Sequence, residues 1–295
     1  MTRALKLRSL LFVPADSERK LAKALDSSAD VLILDLEDSV AESRKPVARA
    51  MAAEFIQAQA SKLRSRLFVR INPLETGLAM PDLAAVVVPG LAGILQPKTR
   101  SAADIARLGH GLDALEARAG VDAGSVKIVP VATETPQSML SMHTYLDATL
   151  PRLAGMTWGA EDLSAAIDAV SNRDEDGGPF SPLYQWANSF CLAASAALDV
   201  PAIDTLYADF RDAAGLAAAC RTSRRRGFRG RIAIHPDQVD AINEAYSPSA
   251  AELAHAQRIV DAFAAQPDAG TLSLDGVMID KPHLTQALRT LEQAG

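Results

Sequence analysis

The sequence predicts an α/β fold: a closed (β/α)8 barrel over residues 1–246, followed by a small C-terminal helix–hairpin–helix cap over 247–295. Three observations carry this. Short apolar runs alternate with longer helical patterns, the order that builds a parallel sheet with right-handed crossovers. The runs are nearly continuous in Val, Ile and Leu, as in strands buried on both faces. Charged residues gather where the runs end, and in such a barrel all strand ends open at one mouth, where catalysis sits. An open doubly wound sheet is the alternative. Gly-x-Gly-x-x-Gly and the phosphate-loop pattern are both absent, which weakens it.

In chain order, the candidate strands are residues 10–13, 31–34, 67–71, 93–95, 126–131, 155–158, 200–203 and 231–234. Helical patterns fall between most of them, at 17–25, 44–63, 102–119, 136–146, 183–198 and 212–226. Ser101 with Asp104 three residues on reads as an N-cap with an acidic third position. Residues 171–182, SNRDEDGGPFSP, are polar and rich in turn formers, a loop and a candidate lid. Past Tyr246 the predicted cap begins with a helix at 250–265. TLSLDGVMID follows, two alternating runs around Asp275-Gly276, a two-residue hairpin signal. A helix over 283–293 closes the chain.

Composition narrows the function. Hydrophobic residues make up 48% and charged ones 22%, ordinary values for a soluble globular protein. A net charge of −6 offers no positive field for a nucleic-acid backbone. Two cysteines, Cys191 and Cys220, form no framework and no metal spacing, as expected in a reducing compartment. Arg3, Lys6 and Arg8 precede an apolar run of only four residues, 10–13, too short for a signal-peptide core or a membrane span. The expectation is a cytoplasmic protein with neither a nucleic-acid nor a membrane partner.

The most telling stretch is VLILDLEDSV, where four apolar residues run into Asp35, Glu37 and Asp38. Buried with the strand, three carboxylates would be costly; emerging into a polar cleft, they are tolerated. Capping of the helix that follows by Asp35 or Asp38 is the plainer reading. The other ends supply Pro14 and Asp16, Arg70 and Asn72, Lys98, Glu134, Glu161 and Asp162, Asp204, and His235. Several carboxylates without a His or Cys cluster suit a hard divalent ion, and Mg²⁺ takes one or two carboxylates while keeping places for water and substrate. Zinc would want nitrogen or sulfur ligands. Arg70 and Lys98 suit a carboxylate, a phosphate or a developing oxyanion. A lysine beside an acidic rim keeps its proton, which argues against a Schiff-base role for Lys98. Arg221, Arg224, Arg225, Arg226, Arg229 and Arg231 resemble a basic patch, yet they cluster about the end of a helix that starts acidic, which complements the helix dipole.

Taken together, LLFVPADSERKLAKA, LILDLEDSV, FVRINP, QPKTRSAAD, VPVATETP, WGAEDL, GFRGRIAIHP and DGVMID resemble the citrate lyase β-subunit-like group of the HpcH/HpaI aldolase superfamily, which includes malyl-CoA and citramalyl-CoA lyases. The resemblance runs over nearly the whole chain. It implies a Mg²⁺-dependent barrel lyase acting on acyl-CoA thioesters, a homotrimer or hexamer whose C-terminal cap covers a neighbour's site. By the same resemblance Glu134 and Asp162 match the metal ligands, with Glu161 an alternative to Asp162. Arg70 matches the arginine that holds substrate oxygens, and Asp280 the acid supplied by the cap. Phe12, Lys23, Ile234 and His235 match positions that contact or admit the CoA portion; a core histidine hydrogen-bonded to backbone is an equal reading of His235.

Two positions depart from the pattern. Ser17 stands where some members carry an arginine, with Arg19 nearby, and Ala187-Asn188-Ser189 stands where many have Ala-Arg-Ser. The second loses a positive charge, which bears on the acid recognised. The activity implied is cleavage of a 3-hydroxy-carboxyacyl-CoA of malyl-, methylmalyl- or citramalyl-CoA type to an acyl-CoA and glyoxylate or pyruvate. Alternatives are a malyl-CoA-type thioesterase and a carrier-dependent citryl lyase β subunit.

Overall fold

Eight parallel strands appear among the described residues of the computed structural model, 5–175 and 178–293: β1 (Ser9–Pro14), β2 (Val31–Asp35), β3 (Arg66–Arg70), β4 (Leu91–Gln96), β5 (Lys127–Pro130), β6 (Met156–Thr157), β7 (Ala202–Asp204) and β8 (Gly230–Ala233). The sheet runs β5-β4-β3-β2-β1-β8-β7-β6. Its two edges meet through parallel bridges, Ile128 with Leu153 and Val131 with Thr157, so the sheet is a nearly closed barrel. Ala132 N donates to the Thr157 carbonyl at 2.8 Å across that seam. Within the predicted loop, Asp176 and Gly177 lie outside the described residues, as does Arg3 of the N-terminal basic group.

The helices between strands are α1 (Glu18–Ala24), α2 (Lys45–Gln59), α3 (Ala79–Val86), α4 (Ala102–Ala119), α5 (Pro136–Ser141), α6 (Glu161–Ala166), α7 (Pro182–Ala197) and α8 (Ala213–Arg226). Next come α9 (Val239–Ala245), α10 (Ala250–Ala265), the hairpin β9 (Thr271–Leu274) and β10 (Val277–Asp280), and α11 (Lys281–Glu292). Sequence reading missed α3, α6 and α9, which span only six to eight residues, too few for a 3.6-residue period to stand out. The pattern over 136–146 is in fact two pieces, α5 and a 3-10 turn at Met142–Tyr145. Ser101 does sit at the N-cap of α4, but its side chain makes no capping bond; Asp104 accepts from the Arg100 amide instead, at 3.0 Å.

β2 is buried along its whole length, as its unbroken apolar run requires. Leu10, Ile33, Phe68, Leu95, Val129, Ile203 and Ile232 pack in one cluster, and only a barrel interior brings residues of seven strands together. Gly93 lies against the Phe68 ring, so any Cβ there would overlap it. Two compact units divide at Asn243 and Glu244; the sequence had suggested residues 246 and 247. In the second unit Ala256, Ile259 and Phe263 of α10 pack with Ile279 of β10 and Ala287 of α11. Asp275 and Gly276 turn the hairpin with φ of 55° and 80°, the positive pair that a two-residue turn of this kind demands. No helix among the described residues is long and apolar enough to cross a membrane.

Candidate active site

Strand register builds the first half of the site. Asp35 and Arg70 are direct partners across β2 and β3, each the last residue of its strand. The carboxylate takes two parallel hydrogen bonds from the guanidinium, Nε to Oδ1 at 2.6 Å and Nη2 to Oδ2 at 2.7 Å. It also accepts the amides of Glu37 and Ser39, which ties down the turn after β2, but neither Asp35 nor Asp38 caps the following helix, whose N-cap is Ala41. Burial alone would raise the Asp35 pKa, but Arg70 and these amides outweigh it and hold it below the usual range. Phe12 lies under the same guanidinium, 4.5 Å from ring centre to Cζ.

Glu37 comes next in the chain of charges. Only 4% exposed, its side chain stands between two cations, with Oε1 accepting from Lys98 Nζ at 2.6 Å and Oε2 lying 2.9 Å from Arg70 Nη1. Burial pushes its pKa up to about 7 against the pull of Arg70 and Lys98. Asp38 is the exposed member, 3.3 Å from Arg70 Nη1. All three acids of VLILDLEDSV therefore face Arg70.

Lys98 links that half to the other. Its backbone has φ of 48°, in the left-handed region that a lysine rarely adopts. The turn directs its amide to Glu134 Oε2 at 2.6 Å, and its ammonium reaches Asp162 Oδ1 at 3.1 Å. Burial would lower the lysine pKa, but Glu37 and Asp162 reverse the sign, so it stays protonated as expected. Glu134 follows β5 and is held in place by its neighbours: Thr135 caps α5 reciprocally with Ser138. Burial, reinforced by the charge of Asp162, pushes the Glu134 pKa up to about 8. Gly159 permits the approach, since a Cβ there would stand 2.9 Å from Glu134 Cγ and 3.0 Å from Oε1.

Asp35, Asp38, Arg70, Glu134 and Asp162 line a cleft of about 880 Å³. Every barrel residue predicted for the site lines it: Phe12, Lys23, Arg70, Glu134, Glu161, Asp162, Ile234 and His235. His235 is half-buried, stacked on Phe210 at 4.7 Å, and its Nδ1 accepts the Asp237 amide at 3.3 Å, so it makes the backbone bond expected of a core histidine while also lining the cleft. Glu161 turns to Asn172 Nδ2 at 2.9 Å. Asp280 lies in the second unit, where its carboxylate accepts the His283 amide at the start of α11 and lies 2.5 Å from His283 Nδ1; that ring contact, first of all, holds its pKa down.

Other strand-end residues turn away from chemistry. Asn72 is buried between Lys45 and Asp82. Asp204 accepts from Trp158 Nε1 at 2.7 Å and pairs with Arg231, so Arg231 is a buried partner in β8 and no part of a basic surface. Ser17 caps α1 by accepting the Lys20 amide. Asn188, on α7, does not line the cleft, so the expected link between that departure and the acid recognised has no direct contact behind it. Arg19, noted beside the Ser17 departure, lines it too; Lys20 and Trp158 do so as well and were not singled out as site residues.

The donor set fits a hard divalent ion. Five carboxyl groups, Asp35, Glu37, Asp38, Glu134 and Asp162, share two cations, Arg70 and Lys98. The first three are engaged by those cations; Asp162 takes a share of the Lys98 ammonium, and Glu134, which has only the Lys98 amide, is raised by burial and by the charge of Asp162. No group of three metal-ligating His, Cys, Asp or Glu occurs among the described residues. Two carboxylates with open positions are what Mg²⁺ accepts, and too few for a structural zinc site.

The family model described as HpcH/HpaI aldolase/citrate lyase matches residues 8–236. The chain is 32% identical over 289 residues to citrate lyase subunit beta of Haemophilus influenzae, covering 97% of this chain and 96% of that one. It is 34% identical over 291 residues to a (3S)-malyl-CoA thioesterase of Cereibacter sphaeroides, covering 97% and 94%. The crystal structure of protein CitE from Mycobacterium tuberculosis, in complex with magnesium, acetoacetate and coenzyme A, superposes with a TM-score of 0.74 at 33% identity, covering 98% of each chain.

Proposed function

This chain belongs to the HpcH/HpaI aldolase/citrate lyase family, and on that premise we propose that it is a Mg²⁺-dependent carbon–carbon lyase acting on a 3-hydroxy-carboxyacyl-CoA thioester. The products are an acyl-CoA and a 2-oxo acid, glyoxylate or pyruvate. The observation that carries the reading is the facing pair Glu134 and Asp162 in the same cleft as Arg70. A magnesium, acetoacetate and coenzyme A complex of a structural relative supports it.

Glu134 and Asp162 hold the ion. Bound there, Mg²⁺ supplies a Lewis acid that acidifies the substrate hydroxyl and offsets the charge of the adjoining carboxylate. The hydroxyl proton passes to water in the cleft, the oxygen's electron pair forms the new carbonyl as the carbon–carbon bond breaks, and the bonding pair passes to the thioester as an enolate. Arg70 stabilises the enolate oxygen. Its guanidinium is locked by Asp35 and supported by Phe12, so no reorganisation is needed when charge develops. Phe12, Lys23, Ile234 and His235 contact the CoA portion. Asp280, from the C-terminal cap of a neighbouring subunit in a homotrimer or hexamer, delivers the proton that the enolate carbon takes up.

A second reading is favoured by the malyl-CoA thioesterase among the relatives: water attacks the thioester in the same site and releases free CoA. The assay that separates the two incubates pure protein with malyl-CoA, methylmalyl-CoA and citramalyl-CoA, with and without Mg²⁺. Oxo acid without thiol means lyase; thiol without oxo acid means thioesterase. Inertness toward all three free esters would overturn both and point to a carrier-bound substrate, as the citrate lyase β relative suggests.

A further inference from the structure

We propose that Lys98 is a built-in counter-ion of the metal site: it keeps the Glu134–Asp162 pair assembled without metal, and the incoming Mg²⁺ binds against its charge. The inference rests on reading those two carboxylates as the metal ligands. One residue serves both by different means, through its amide on Glu134 Oε2 and its ammonium on Asp162 Oδ1. The two contacts have opposite consequences. An amide on Oε2 leaves Oε1 of Glu134 for a metal and fixes its direction. An ammonium on Asp162 competes for the same oxygen.

The ammonium is anchored by other acids besides Asp162, with Asp38 Oδ1 3.8 Å away. Glu37 holds it at 2.6 Å against 3.1 Å for Asp162, and Glu37 is itself buried and set against Arg70. When Asp162 turns to a metal, Lys98 stays on Glu37 with its charge beside the ion. Like charges a few ångströms apart in a partly buried cleft are poorly screened, so the ion binds more weakly than the carboxylates alone would allow. The left-handed backbone of Lys98 fits this role, because strain of that kind persists where a site needs the geometry it produces.

The test is Mg²⁺ titration calorimetry on the full chain without substrate. Lys98→Asn removes the ammonium and suits the left-handed turn, so the amide contact survives. It should bind Mg²⁺ at least about tenfold more tightly than wild type, while its melting temperature in EDTA falls. Lys98→Arg, which keeps the charge, should stay near the wild-type affinity. Lys98→Gly, better suited still to a positive φ, serves if the asparagine variant does not fold. Unchanged or weaker Mg²⁺ binding by a folded, uncharged variant overturns the inference alone, provided wild type binds and Asp162→Asn does not. Absence of Mg²⁺ binding by wild type overturns the metal-site reading and this inference with it.

Discussion

Asp35 and Arg70, the final residues of neighbouring strands, join through two parallel hydrogen bonds of 2.6 and 2.7 Å with the carboxylate almost wholly buried. A planar fork held this way cannot be copied by an ammonium on a flexible stem. Arg70→Lys should therefore reduce kcat by roughly 10²-fold or more, in keeping with loss of an oxyanion donor. Asp35→Asn breaks a buried pair and should cost roughly 3 kcal/mol in urea denaturation. Wild-type kcat in Arg70→Lys would remove Arg70 from the chemistry.

The metal pair is tested without relying on turnover. Glu134→Gln and Asp162→Asn should abolish activity yet melt cooperatively, since neither carboxylate belongs to the apolar core. Calorimetry on the double variant should show no Mg²⁺ binding; wild-type affinity there would make the assignment wrong. Gly159→Ala should mimic the effect by displacing Glu134, whose Cγ would lie 2.9 Å from the new Cβ.

A pH dependence follows from burial. In the metal-free protein Glu37 and Glu134 are pushed up to about 7 and about 8, above the ordinary 4.5. The folded state thus keeps protons that the unfolded chain has released, so unfolding free energy must fall as pH rises. Their stabilising contribution is complete below 4.5 and is lost by about pH 8. Scanning calorimetry in EDTA should show the melting temperature dropping between about pH 5 and pH 8. Excess Mg²⁺ should reduce that drop, and Mg²⁺ affinity should rise with pH as the ion replaces the Glu134 proton. A Glu134→Gln protein with an undiminished slope would contradict the assignment.

Asp280 is tested by complementation. Asparagine caps a helix about as well as aspartate, so Asp280→Asn should leave α11 intact while removing the acid. Inactive Asp280→Asn and inactive Glu134→Gln proteins, unfolded and refolded together, should regain part of the activity, because some mixed sites receive both intact residues. Mixed oligomers that form and stay inactive would exclude action across a subunit boundary.

Sequence alone determined the barrel, the order of its strands and the family, because those properties are written locally. An unbroken apolar run needs two covered faces, and a charge at its end needs an opening, wherever in space the strand lies. It also brought several strand-end side chains, Arg70, Glu134 and Asp162 among them, to one rim, since parallel strands carry their last residues there.

Only the tertiary structure decided which of those charges are already spoken for. Arg70 comes 35 residues after Asp35, Lys98 61 residues after Glu37, and Glu134 36 residues after Lys98. Asp35, Glu37 and Asp38 formed the most telling stretch of the linear chain without a settled role; the register of β2 against β3 gives them to Arg70, and a left-handed turn after β4 brings Lys98 to Glu37. Arg231 read as one of a basic run until β8 set it beside Asp204. A carboxylate's chemistry depends on the charges within a few ångströms of it, and their distance along the chain says nothing of that separation.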